Sequence, residues 1–169
     1  LGDEGHVAVL VQTEGPLSLM SGDPVTSGGA AILTWHEGVF ITAAQVDMVT
    51  PVALALTADN VALVAGDGVV MALSGDDAAP WELVDAPGVS DLALGADGHV
   101  VLTGAIDVST AFDVGLGPVV VEAAYAASYT LAGDPFWFTA LGDLSQAPRL
   151  SLAAKRALVV GDRVSPLAE

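Results

Sequence analysis

Cysteine is absent from the 169 residues, which excludes disulfides and thiolate metal sites and leaves the redox compartment unmarked. Basic side chains are scarce: 4 Lys+Arg stand against 21 Asp+Glu, for a net charge of -17 at pH 7. Such a surface repels phosphate backbones and anionic lipid, so no nucleic-acid partner is expected. Long apolar runs are also missing. The most apolar stretch, Pro51 to Ser74, is broken by Asp59, Asn60, Gly66, Asp67 and Gly68, so nothing approaches the roughly 18 residues of a membrane helix, and no membrane span is expected. No basic leader with an apolar core precedes Leu1, and the chain is expected to begin after processing or inside a larger one. Helical signal is thin. Only Val121 to Ser128 and Leu150 to Ala157 have helix-forming composition, neither with a 3.6-residue period, and each reads as strand or short helix.

What the chain does have is apolar content. Hydrophobic residues make up 53% and mean hydropathy is +0.63, which separates it from disordered acidic chains and points to a packed core. Short runs of Val, Ile, Leu, Thr and Phe recur about every 8–12 residues between Gly, Asp, Asn and Pro, the pattern of an all-β sandwich or barrel. Strands are predicted near His6–Gln12, Ala30–Trp35, Val39–Thr42, Val52–Thr57, Val61–Ala65, Val69–Leu73 and Leu92–Leu94. Others are predicted near His99–Thr103, Pro118–Ala123, Tyr129–Leu131, Phe136–Ala140 and Arg156–Val160. Asp59-Asn60, Gly66-Asp67-Gly68 and Asp97-Gly98 supply turn residues that tolerate positive φ. A self-similarity links the segment that starts at Val52 with the one that starts at Val89, as successive hairpins or propeller blades would, although its period is irregular.

Ser27-Gly28-Gly29-Ala30-Ala31-Ile32-Leu33, followed by Gly38-Val39-Phe40-Ile41-Thr42-Ala43-Ala44-Gln45-Val46, resembles the trypsin-like serine protease stretch that reads G-G-x-x-I and then T-A-A-H-C. The resemblance places Gln45 where that family has its general-base histidine, and an amide cannot accept the serine proton near neutral pH. Ser90-Asp91-Leu92-Ala93-Leu94 is similar to the family's D-[IL]-A-L element, which makes Asp91 the retained orienting aspartate. Gly161-Asp162-Arg163-Val164-Ser165-Pro166-Leu167 is similar to G-D-S-G-[GS]-P-L, with Arg163 in the nucleophile's place and Val164 replacing a glycine of the oxyanion loop. The resemblance implies an all-β chain of two packed six-stranded β-barrels, residues 1–95 and 96–169, with the second barrel incomplete because the family continues past its serine loop. It also implies a catalytically inactive pseudoprotease that acts as a protein-binding or scaffolding subunit, located in the periplasm or outside the cell. A protein partner, or a C-terminal fragment of its own precursor, would cover the open barrel edge. Two alternatives stand beside it: a β-propeller-type interaction fragment, and a protease half completed by another chain.

Gln45 is expected to donate to Asp91 through its amide, since a buried carboxylate needs a partner; an ordinary strand-edge aspartate is the other reading of Asp91. Arg163 plugs the site, pairs with Asp91, or is a surface loop residue. His6, His36 and His99 lack ligand spacing and read as surface or turn residues, and Asp76-Asp77 reads as a solvated turn; no metal and no cofactor is expected. Phe136, Trp137 and Phe138 form a dense aromatic cluster. It serves either as the core of the second half or, if exposed, as a partner-binding hot spot.

Overall fold

Apolar residues that alternate between two faces, interrupted by residues that tolerate positive φ, fold as antiparallel meanders. The computed structural model describes residues 5–18, 24–26, 28–73, 81–95, 97–106, 110–113, 117–121, 124–142, 148–153 and 156–160, and every regular element among them is a strand. They are β1 (His6–Thr13), β2 (Leu17–Ser18), β3 (Pro24–Thr26), β4 (Gly29–His36), β5 (Val39–Val46), β6 (Pro51–Leu56), β7 (Ala62–Gly66), β8 (Val69–Leu73) and β9 (Trp81–Asp85). The remainder are β10 (Val89–Leu94), β11 (Val100–Ala105), β12 (Thr110–Asp113), β13 (Pro118–Val121), β14 (Ala124–Tyr129), β15 (Pro135–Gly142), β16 (Arg149–Ala153) and β17 (Arg156–Val160).

Three sheets carry the architecture, in the orders β1-β4-β5, β6-β7-β8-β9 and β10-β11-β14-β15, and β16-β17 form a two-stranded sheet beside the third. The hairpins β2-β3 and β12-β13 are insertions within the first and third sheets. The all-β expectation holds. Every sheet order is open, so no closed six-stranded barrel is seen among the described residues.

Most predicted strands form, with three differences. Tyr129 ends β14, and Leu131 lies in the following turn. Val121 to Ser128 and Leu150 to Ala157 contribute to strands, because their apolar residues pair across ladders in which a helix would have no partner face. The strands β2, β3, β9 and β12 went unpredicted.

The turns follow from local chemistry. Glu37-Gly38 (φ 50, 82) and Asp67-Gly68 (φ 50, 83) make two-residue links with positive φ at both positions, closing His36 on Val39 and Gly66 on Val69. A second turn type occurs three times. Asn60, Gly98 and Gly133 donate their N–H to the carbonyls of Thr57, Gly95 and Thr130, and the N–H groups of those three residues bond Val61, His99 and Asp134 in turn.

These equivalences expose a structural repeat. Thr57 and Gly66 correspond to Gly95 and Gly104, a shift of 38 residues, and the ladders match: Pro51 pairs with Gly66 and Ala53 with Ala65, as Val89 pairs with Gly104 and Asp91 with Thr103, each with a bulge between. The similarity between the two segments is therefore in register even though it is irregular in letters.

The sheets stack face to face, and the faces are unlike. Leu54, Leu56, Val64, Met71 and Leu73 of the second sheet point to the first, where Ala8, Leu10, Ala30, Ile32 and Ala44 meet them. On its other side Ala53, Ala55, Leu63, Ala65 and Ala72 meet Leu92, Val100, Leu102, Tyr125 and Tyr129 of the third. At both interfaces a bulky face thus seats on one in which alanines stand among larger residues such as Ile32, Val46, Leu63 and Val70, so large side chains interdigitate with small ones. The first strand of each sheet touches the first strand of the next: β1 with β6, β6 with β10, and β10 with β16. Gly104 is required at its position because a Cβ there would strike the Tyr125 ring, which the bond from its hydroxyl to the Pro87 carbonyl (3.0 Å) holds in place.

Candidate functional site

Gln45 sits on β5 opposite Ala31. Its Nε2 donates to the carbonyls of Gly28 (2.8 Å) and Ala30 (2.9 Å), which spends both amide protons on fixing the start of β4. The expected bond from Gln45 to Asp91 is therefore not made. Asp91 lies on β10, and its carboxylate accepts from the backbone N–H of Leu92 through Oδ1 and of Leu150 through Oδ2, both at 2.9 Å. The structure gives these two residues separate work in separate sheets. Arg163, with Ser165 and the rest of the 161–167 motif, lies outside the described residues, as do Asp76 and Asp77.

Around Asp91 the chain builds an anchor. Ser90 Oγ donates to the Pro148 carbonyl at 2.9 Å, and the buried Thr103 hydroxyl donates to the same oxygen at 3.2 Å. The equivalents of Asp91 and Thr103 in the second sheet are Ala53 and Ala65, so polar groups replace alanines where the 148–150 segment must be held at the start of β16. Asp67 works in the same way at the first junction. Its carboxylate accepts from the N–H groups of Val49 (2.5 Å) and Thr50 (2.9 Å) and from the Thr50 hydroxyl. The Thr50 hydroxyl bond, followed by the Val49 amide, holds the Asp67 carboxyl below its ordinary value of 3.8. From sequence Asp67 reads as a turn residue only; the signal for its second role, a Thr-Pro connector 17 residues upstream, has meaning only once the sheets are stacked.

The aromatic triplet divides. Phe138 packs against the core and stacks on Tyr125 at 5.7 Å, Trp137 is half-buried opposite Ser128, and Phe136 is 62% exposed. The Phe136 ring stacks on His99 at 4.5 Å, and His99 Nδ1 lies 3.2 Å from Asp97 Oδ2. The His99 backbone N–H also donates to the Asp97 carboxylate, and this is the main reason its pKa is lowered. Leu131, in the turn of the same hairpin, is a further exposed apolar residue. Sheet 3 thus offers an exposed aromatic whose ring is backed by a positioned imidazole.

The other histidines, His6 and His36, are directly opposed on β1 and β4 and stack at 4.2 Å. Among the described residues no three His, Cys, Asp or Glu side chains are grouped to hold a metal ion. An open cleft of about 490 Å³ lies between β1 and β6, lined by Ala8 to Gln12 and Pro51 to Leu54.

The strings that carry the trypsin-like resemblance have a local explanation. In Thr42-Ala43-Ala44-Gln45, Ala44 belongs to the alanine-rich face packed on the second sheet. In Asp91-Leu92-Ala93-Leu94, Leu92 and Leu94 fill the bulky face. Two-residue alternation between unlike faces writes both strings without any reference to a catalytic centre. No family model matches the chain, and no curated protein matches it.

Proposed function

We propose that this chain is a non-catalytic, propeller-type scaffold of stacked four-stranded units that binds a protein partner through the exposed aromatic on its third sheet. The observation that carries the reading is the repeat: two hairpins 38 residues apart share register, bulge and turn, and their sheets stack bulky face on alanine face with first strands side by side. Closed barrels and an Asp91–Gln45 pair are what the pseudoprotease reading needs, and the bonds of both residues favour the stacked-repeat reading.

Polar groups at the sheet junctions support a structural role for the carboxylates that are conspicuous in sequence. Asp91 and Asp67 each accept from two backbone N–H groups, a use that supports holding the connecting segments in place. Phe136 has the opposite character: a large apolar ring held in place and mostly in solvent, the profile of an interface anchor.

The test is capture on an immobilised full chain, with wild type and Phe136→Ala run against the same extract. Wild type is expected to retain a defined protein and the variant to lose most of it. Equal retention by both, or none by wild type, refutes the aromatic surface as the binding site.

A further inference from the structure

His6 opens β1 and His36 closes β4, and the antiparallel ladder sets them directly opposite each other at its end. Residues opposed in this way project their side chains from the same face of a sheet. Two histidines far apart in sequence thereby become one pair of imidazoles, stacked with ring centroids 4.2 Å apart and planes 3° from parallel. The backbone beneath them is held from both sides. The Glu37 N–H donates to the Gly5 carbonyl at 3.2 Å, one step beyond the pair, and the Glu37-Gly38 turn closes His36 on Val39. The next pair on the same face is Ala8 with Thr34, both short side chains. Both imidazoles are only half-buried, so solvent reaches them.

We infer that His6 and His36 form a two-imidazole site for a borderline transition-metal ion, Cu²⁺ above all. A neutral imidazole offers one ring-nitrogen lone pair, the donor that Zn²⁺, Ni²⁺ and Cu²⁺ accept well, with Cu²⁺ bound most tightly in the divalent series. Mg²⁺ and Ca²⁺ prefer oxygen donors. Metal–nitrogen bonds are about 2.0–2.1 Å long, so two nitrogens on one ion lie roughly 3–4 Å apart, close to the spacing at which the ladder already holds the rings. In the parallel stack the lone pairs run side by side; rotation about the Cβ–Cγ bonds, a soft torsion, turns them onto a common ion and leaves the backbone in place. Water completes the coordination, since among the described residues no third His, Cys, Asp or Glu is grouped with the pair. The net charge of -17 gathers cations of every kind. Selection among them falls to the imidazoles.

The experiment is calorimetric titration of the full chain with Cu²⁺ in an excess of Mg²⁺, which occupies carboxylate oxygens. It is run on wild type, His6→Gln, His36→Gln and the double variant, each first shown to melt cooperatively. Wild type is expected to take one equivalent that either single variant weakens on the order of a hundredfold, with little further loss in the double variant, because a chelate fails when either arm is removed. Losses that add in the double variant, or that fall on one histidine alone, overturn the inference, as does a wild type that takes up no Cu²⁺ beside Mg²⁺. A second measurement needs no variant: in wild-type NMR spectra paramagnetic Cu²⁺ should first broaden the amide signals of residues 5–8 and 34–38, and broadening that begins elsewhere overturns the site. The pair lies on the first sheet and Phe136 on the third, so this inference and the proposed function stand or fall separately.

Discussion

Replacing Asp91 by alanine gives this position the residue that its repeat equivalent, Ala53, already has, and the consequence can be worked out from the bonds lost. The carboxylate accepts from the N–H groups of Leu92 and Leu150 at 2.9 Å each. Hydrogen bonds to a charged acceptor contribute about 1.5–3 kcal/mol apiece, and because the site is only partly buried, solvent recovers a share, leaving about 2–3 kcal/mol in total. At this chain length 1 kcal/mol moves the melting temperature by about 2–4 °C, so a fall of about 4–12 °C is expected in calorimetry. The loss is localised. Leu150 opens the β16-β17 hairpin, so hydrogen exchange at residues 149–153 should accelerate more than in the second sheet, with the Ser90 and Thr103 bonds to Pro148 holding part of the junction. Asp91→Asn keeps one acceptor oxygen and should fall in between. A drop under about 2 °C in Asp91→Ala, with Leu150 protection unchanged, would refute the anchor.

Two further outcomes follow from the packing and the charges. Gly104→Ala places a methyl against the Tyr125 ring, which its bond to Pro87 keeps from swinging away; overpacking of this kind costs about 1–3 kcal/mol in denaturant unfolding. In the double variant with Tyr125→Leu the two losses should add to less than their sum, because the clash disappears with the ring. The Asp67 carboxyl is held below its ordinary value of 3.8 by Thr50 and Val49, so its stabilising contribution is complete above that pH and vanishes as pH falls through the lower folded value. The difference in melting temperature between wild type and Asp67→Asn should therefore be flat from about pH 5 to 7 and close below about pH 4, and a gap that widens in acid would contradict the assignment.

How far the residues speak for themselves depends on how local the information is. The turns were legible because positive φ is a property of one or two residues: Asn60, Asp67, Gly68 and Gly98 all adopt it where expected. Strands such as His6–Thr13 and Val69–Leu73 were legible because β-branched runs bounded by turn residues need no partner to be recognised. Val121 to Ser128 was ambiguous because small residues such as Ala126 and Ala127 suit a helix as well as a strand, and only pairing with β11 and β15 makes them a buried central strand. The aromatic triplet was read as one object, although adjacent strand residues face opposite ways, so the core received Phe138 and the surface kept Phe136.

The amino-acid order by itself determined the all-β class and the turns at Asn60, Asp67-Gly68 and Gly98, since these depend on neighbours a few residues apart. Only the tertiary structure decided which face meets which sheet, that the two similar segments are one repeat in register, and that Asp91 and Asp67 clamp backbone N–H groups at the junctions between sheets. Those facts belong to contacts as distant as Asp91 with Leu150. They arise from burying the apolar faces of distant strands against one another, which no local stretch of residues encodes.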